Sequence, residues 1–191
     1  MAGKKKKKSF LYILIVSLVI SACVTVSLEP ILKLVYPLKH EEAINKSADA
    51  CGLDKYFVMG IISSESNFNP DAHSHKDAYG LMQLKDETAL WCAEQFSLGI
   101  AKEDIHKPEN NILIGCAYMR YLIDLYDGNI ATAVAAYNAG PGNVNKWLSD
   151  KRYSDGKNTL RSIPFAETKS YVEKVKKREE IYKKLYGEDV K

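Results

Sequence analysis

Val58-Met59-Gly60-Ile61-Ile62-Ser63-Ser64-Glu65-Ser66 decides how this chain is read. Val58, Ile61, Ile62 and Glu65 fall at i, i+3, i+4 and i+7, so they share one face of a helix. Three of the four are apolar, as a core-facing stripe requires, and the fourth is a carboxylate. An ionised carboxylate on such a face is costly to bury, and the usual outcome is a raised pKa. A carboxylic acid still protonated near neutral pH can give its proton to a leaving group. The simpler reading is that the helix ends at Glu65 and the side chain reaches water, since charged residues are seldom fully buried.

Outward from this stretch the pattern is helical almost throughout. A helix is expected over residues 41–51, with Gly52 as its stop, and a second over 55–66, capped by Asp54. A polar loop with Pro70 follows to residue 79. Asp86 is a plausible cap for a third helix to about residue 96. Residues 112–126, 130–138, 143–148 and 165–186 read as further helices, the fifth rich in alanine and closed by Ala139-Gly140-Pro141-Gly142. No stretch alternates as a strand would. The fold class is mainly α.

The 191 residues are 46% hydrophobic and 27% charged, enough for one domain with a real core. The net charge of +3 hides an asymmetry: residues 1–40 hold seven lysines against Glu29, and the remainder holds 20 basic and 23 acidic residues. A mildly acidic domain argues against nucleic acid as a partner. Residues 10–28 carry no charge and follow five consecutive lysines, Lys4 to Lys8. As a helix that run spans about 28 Å, close to the hydrocarbon core of a bilayer. Lysines on one side place that side in the cytoplasm and the rest of the chain outside. The expected organisation is a basic tail at 1–9, a single membrane-spanning signal anchor at 10–28, a proline-broken stalk at 29–37 and a domain at 38–191. The length of the run and the lack of a good small-x-small site favour an uncleaved anchor. The alternative is a lipoprotein signal, with Ile20-Ser21-Ala22-Cys23 as a lipobox and Cys23 as the lipidated residue. The other cysteines, Cys51, Cys92 and Cys116, are an odd number without close spacing, neither a disulfide framework nor a zinc pattern. One pair could form, and spacing does not say which.

Four motifs occur in order: Glu65-Ser66-x-Phe68-Asn69-Pro70-x-Ala72-x-Ser74; Gly80-Leu81-Met82-Gln83-Leu84; Ala136-Tyr137-Asn138-Ala139-Gly140; and Ile163-Pro164-Phe165-x-Glu167-Thr168-x-x-Tyr171. With them the chain resembles, over about residues 38–185, the soluble-lytic-transglycosylase domain of glycoside hydrolase family 23, related to goose-type lysozyme. The resemblance implies a lysozyme-like helical domain acting on peptidoglycan without a cofactor or metal. Glycosidases ordinarily use two carboxylates, but this family relies on one Glu. It protonates the bond between N-acetylmuramic acid and N-acetylglucosamine, then as a base deprotonates the C6 hydroxyl, which closes on C1 as a 1,6-anhydro ring.

By the resemblance Glu65 is that acid and base. Ser66 supports the helix end and the following loop. Ser74 would contact the acetamido group, Gly80 would let the backbone approach the sugar, and Met82 and Gln83 would line the cleft floor. Tyr137 offers a hydroxyl near Glu65, Asn138 joins it at the cleft, and Glu167 helps hold a sugar. Simpler readings stand beside several: a turn serine for Ser74, a core methionine for Met82, a core tyrosine for Tyr137, and a first-turn helix carboxylate for Glu167. His73 and His75 with Asp71 and Asp77 lack helical metal-ligand spacing, and the basic run at 174–178 reads as a solvated face. The chain departs from the family at Lys85-Asp86-Glu87, where many relatives have Met-Pro, and at Thr168-Lys169 in place of Thr-Arg. Two rivals remain: a hydrolytic muramidase, in which water replaces the C6 hydroxyl, and a catalytically idle wall-binding module.

Overall fold

The computed structural model describes residues 12–18, 21 and 28–187 and divides into two compact units, Met1–Leu38 and Lys39–Lys191. In the first unit, residues 12–18 and 28–35 are helical. Much of the apolar run at 10–28 lies outside the described residues. Among those described, no helix is long and apolar enough to cross a membrane. The stalk departs from expectation at Pro30, which sits among helical residues, while the chain leaves helix only before Pro37. A Glu29–Lys33 pair one turn apart, at 2.6 Å, supports that helix.

The second unit is built from helices α1 (Glu41–Cys51), α2 (Lys55–Ser66), α3 (Asp86–Gln95), α4 (Pro108–Leu125), α5 (Ile130–Ala139), α6 (Pro141–Leu148) and α7 (Ala166–Tyr186). Their ends follow from local chemistry. The Asp54 carboxylate accepts from the N–H groups of Tyr56 and Phe57 at 2.8 and 3.1 Å, starting α2. The Asn129 amide oxygen does the same for Thr132 at 3.0 Å, starting α5. Gly52 and Asn67 close α1 and α2 in the left-handed conformation, with φ of 61° and 51°.

Three boundaries differ from expectation. Helix α4 begins at Pro108, four residues before the apolar period starts, because proline needs no N–H partner in a first turn. Helix α6 starts at Pro141 for the same reason. Asp86 is the first residue of α3 rather than its cap; Lys85 holds the cap position without a side-chain bond, and Asp86 instead faces His106 at 3.2 Å. The expected absence of strands also needs correction. Ala78–Tyr79 (β1) and Leu84–Lys85 (β2) pair antiparallel, Ala78 with Lys85 and Tyr79 with Leu84. Two-residue strands are too short to show alternation.

Helix α2 is the centre of the unit, with residues 57–63 buried in succession. It packs on α7 and α1, and α4 lies against α1, α3 and α5. Gly60 permits the α2–α7 approach: a Cβ there would meet the backbone of Val175 and Glu179 at 3.0 Å. That close crossing sets the last turn of α2, and Glu65 with it, against the first half of α7.

Candidate active site

Glu65 sits one residue before the end of α2 and lines a cleft of about 510 Å³. The Tyr171 hydroxyl, from α7, donates to Glu65 Oε1 at 2.5 Å. The Tyr171 bond and the Lys174 ammonium both pull the Glu65 pKa down, yet burial outweighs them and pushes it from 4.5 up to about 7. The side chain is therefore neither splayed into water nor a fully ionised surface group. Burial also holds the Tyr171 and Tyr137 hydroxyls well above the ordinary tyrosine range, so both stay protonated as donors.

The open C-terminus of α2 is closed by cations from α7. Lys174 Nζ donates to the Ser64 carbonyl at 2.9 Å, and Arg178 donates to the Ser63 carbonyl and to Ser63 Oγ. Positive charge at a helix C-terminus is the favourable arrangement. The basic run at 174–178 is largely exposed, as expected, and two of its members, Lys174 and Arg178 one turn apart, also bond to the end of the helix that carries Glu65.

The loop after α2 is tied back by Ser66, whose Oγ donates to the Leu81 carbonyl at 2.8 Å and the Ile62 carbonyl at 3.3 Å. The hairpin is fixed from the other side by Asn111, buried in α4. Its Oδ1 accepts from the Met82 N–H at 2.8 Å, and its Nδ2 donates to the Tyr79 carbonyl at 3.2 Å. Gly80 owes its identity to this contact. At its φ of 77° a Cβ would lie 2.8 Å from the Asn111 amide, so the missing side chain makes room for Asn111. Met82 also differs from expectation. Its side chain is fully buried against Gly115, and its link to the site is its carbonyl, which accepts from the Tyr137 hydroxyl at 2.9 Å.

Gln83 does line the cleft; at a φ of 49° its amide donates to the carbonyls of Ala72 and Gly80 at 3.0 Å each. Ser74 lines the cleft too, with its Oγ accepting from the N–H groups of Ala78 and Lys76 at 3.1 and 3.3 Å. Tyr137 and Asn138 end α5 at the cleft wall. The Tyr137 hydroxyl is engaged by Met82, so the tyrosine bonded to Glu65 is Tyr171. Asn138 Oδ1 accepts from Thr168 Oγ1 at 2.8 Å, which joins α5 to the first turn of α7. Glu167 lines the cleft mouth, solvent-exposed and paired with Lys76 at 3.1 Å. It is the other carboxylate among the described lining residues, and Glu65 is the half-buried one. Among the described residues no group of three or more His, Cys, Asp or Glu is placed to hold a metal ion; His73 stacks on Tyr79 with ring centroids 4.2 Å apart.

Sequence reasoning passed over Tyr171 and Asn111 as functional residues. Tyr171 stands in the last of the quoted motifs, and with Thr168 and Val175 it marks the buried stripe of α7. Asn111 gave no such signal, because it stands beside Asn110 just before the apolar period begins at Ile112. A test of the Tyr171 bond follows from its sign. The hydroxyl stabilises the carboxylate form, so Tyr171→Phe raises the Glu65 pKa further and moves the basic limb of the kcat/KM profile to higher pH. The lost bond to a charged group costs about tenfold in kcat/KM. A limb that stays put would place Tyr171 outside the titration of Glu65.

Comparison with known proteins places most of this unit in a family. The family model described as Transglycosylase SLT domain matches residues 42–160. The chain belongs to this family. A putative soluble lytic murein transglycosylase of Haemophilus influenzae is 41% identical over 149 residues, taking in 75% of this chain and 25% of that protein. Membrane-bound lytic murein transglycosylase C of Yersinia pestis is 31% identical over 168 residues, 76% of this chain and 47% of the relative. Among solved structures, an inactive glutamate-to-glutamine mutant of the lytic transglycosylase Slt from Pseudomonas aeruginosa superposes with a TM-score of 0.72 at 34% identity, covering 80% of this chain and 25% of that one. The chain thus spans about a quarter of the length of the Haemophilus and Pseudomonas proteins. The helical, lysozyme-like unit is shared; the remainder of those larger proteins has no counterpart in the match.

Proposed function

We propose that this SLT-family chain is a peptidoglycan lytic transglycosylase in which Glu65 serves first as general acid and then as general base. The observation that carries the reading is one half-buried carboxyl, bonded to Tyr171 at the end of α2 and with its pKa pushed up to about 7 by desolvation, in a cleft whose other carboxylate is exposed and ion-paired. Glycosidases that activate water or form a covalent intermediate ordinarily use a second carboxylate close to the scissile bond. Here one residue gives a proton to the leaving oxygen and later takes a different one from the C6 hydroxyl, and a pKa near the working pH suits both directions.

In the proposed sequence, Glu65 gives its proton to the oxygen between N-acetylmuramic acid and N-acetylglucosamine. The substrate's own acetamido oxygen stabilises the cation left at C1. The Glu65 carboxylate, held by the Tyr171 hydroxyl and the nearby Lys174 charge, then takes the C6 proton as that oxygen bonds to C1. No water is consumed and the enzyme returns to its starting protonation state. Ser74, Gln83, Asn138 and Glu167 are the polar groups available to position the strand, with Tyr137 as an apolar wall.

The uncharged run at 10–28 after five lysines supports a single-pass anchor with the catalytic unit outside the cytoplasm, and a relative described as membrane-bound is compatible with it. Mass spectrometry of digested peptidoglycan tests the activity. The reading expects products with 1,6-anhydro-muramic ends. Reducing ends formed with water instead would make the chain a hydrolytic muramidase, and intact glycan would make it an idle binding module.

A further inference from the structure

Two large aromatics of the unit that the cleft chemistry does not use are exposed, Trp91 and Phe165, and Trp91 is the one joined to an aromatic cluster at the cleft. Trp91 on α3 is 40% exposed, whereas Trp147, the other tryptophan, is 6% exposed beneath Phe165. Leaving an indole in water forgoes one of the largest burial gains a side chain offers. Trp91 is also not isolated. Tyr121, Phe96 and Tyr118 surround it with ring centroids at 5.2, 5.7 and 6.4 Å.

This group is continuous with the cleft. Thr88 and Tyr118 both line it. Trp91 follows Thr88 by three residues on α3, and Tyr121 follows Tyr118 by three on α4. Each helix therefore steps one turn, about 4.5 Å, from cleft wall to aromatic patch. Tyr118 bridges the two, with its ring 5.5 Å from that of Tyr137 at the cleft wall. All three rings meet Trp91 steeply, at 68–84°, so none of them lies parallel on the indole. The apolar C–H face of a pyranose packs in parallel on such a ring while its hydroxyls stay wet.

We infer that Trp91, with Tyr121 beside it, forms a distal glycan subsite where a sugar of the strand stacks as it leaves the cleft past Thr88 and Tyr118. This rests on the reading of the cleft as a glycan site and extends it by an anchor outside the reacting centre. Its effect grows with strand length, because Trp91 lies beyond the lining of the cleft that holds Glu65.

The experiment measures binding of peptide-free glycan strands of two and eight sugars to the full chain carrying Glu65→Gln, which prevents turnover. With Trp91 present, the eight-sugar strand binds more tightly and changes the tryptophan fluorescence. Trp91→Ala lowers the preference for the longer strand about tenfold, the size of one aromatic contact, and abolishes the fluorescence change. Trp91→Phe, which keeps a ring against Tyr121 and Phe96, retains part of the preference. Ile130→Ala, which trims a similarly exposed apolar residue on α5, leaves it intact. If Trp91→Ala keeps the preference and lowers only the melting temperature, the ring merely packs α3 on α4 and the proposal is overturned. If the chain with native Trp91 binds neither strand, the reading of the cleft falls and the subsite with it.

Discussion

Glu65→Gln abolishes lytic activity, with kcat lowered by at least about 10³-fold, the scale of a lost general acid and base. The amide fills the same volume and still accepts from Tyr171 at Oε1, but has no proton to give and cannot take one back. The same substitution stabilises the fold in a pH-dependent way. The folded-state pKa of Glu65 lies above its ordinary value, so its carboxylate form is disfavoured by folding and the wild type loses stability as pH rises from about 4.5 through about 7. The gap corresponds to about 3 kcal/mol at full ionisation. Gln pays no such cost. Chemical denaturation therefore finds Glu65→Gln more stable than wild type at pH 8 and nearly equal at pH 4. Loss of activity with a matched loss of stability at pH 8 would mean that the variant damages the fold rather than removing an acid.

Gly80→Ala has the largest expected effect on stability. Its φ of 77° costs an alanine about 1 kcal/mol or more. The new Cβ also falls 2.8 Å from Asn111, which cannot retreat without breaking its bonds to Met82 and Tyr79. Those backbone groups would be left unsatisfied at a buried site, at about 1–3 kcal/mol each. The sum, roughly 3–7 kcal/mol, is a large fraction of the stability of an ordinary domain. Activity falls as well, because Met82 carries the carbonyl that holds Tyr137 and Gln83 is the next residue. A loss below about 1 kcal/mol would show that the hairpin yields easily and that Asn111 does not pin it.

The helices were legible because apolar residues at a 3.6 period, with Asp54, Asn129 and the glycine stops, state local rules that the fold obeys. Glu65 was legible for the opposite reason, as a carboxylate where the period asks for an apolar residue. What escaped were contacts between distant parts of the chain. Tyr171 lies 106 residues from Glu65 and reads locally as a core aromatic on α7. Asn111 follows another asparagine, and nothing local says that it, rather than Asn110, turns to the hairpin. Lys174 and Arg178 look solvated in a helix of mixed charge until α2 is seen to end against them. Gly80 stands out in the motif as a residue without a side chain, and its close neighbour is the protein's own Asn111 amide. Met82 shows the reverse: placed in a cleft motif, it contributes its backbone while its thioether fills the core beside Gly115.

The account depends on Glu65 being kept partly protonated at neutral pH by burial. Carboxyl ¹³C NMR of glutamate-labelled protein, with Glu65→Gln to assign the signal, measures this directly. A Glu65 midpoint near 7 is the predicted result; a midpoint between about 4 and 5, where exposed glutamates titrate, would contradict it.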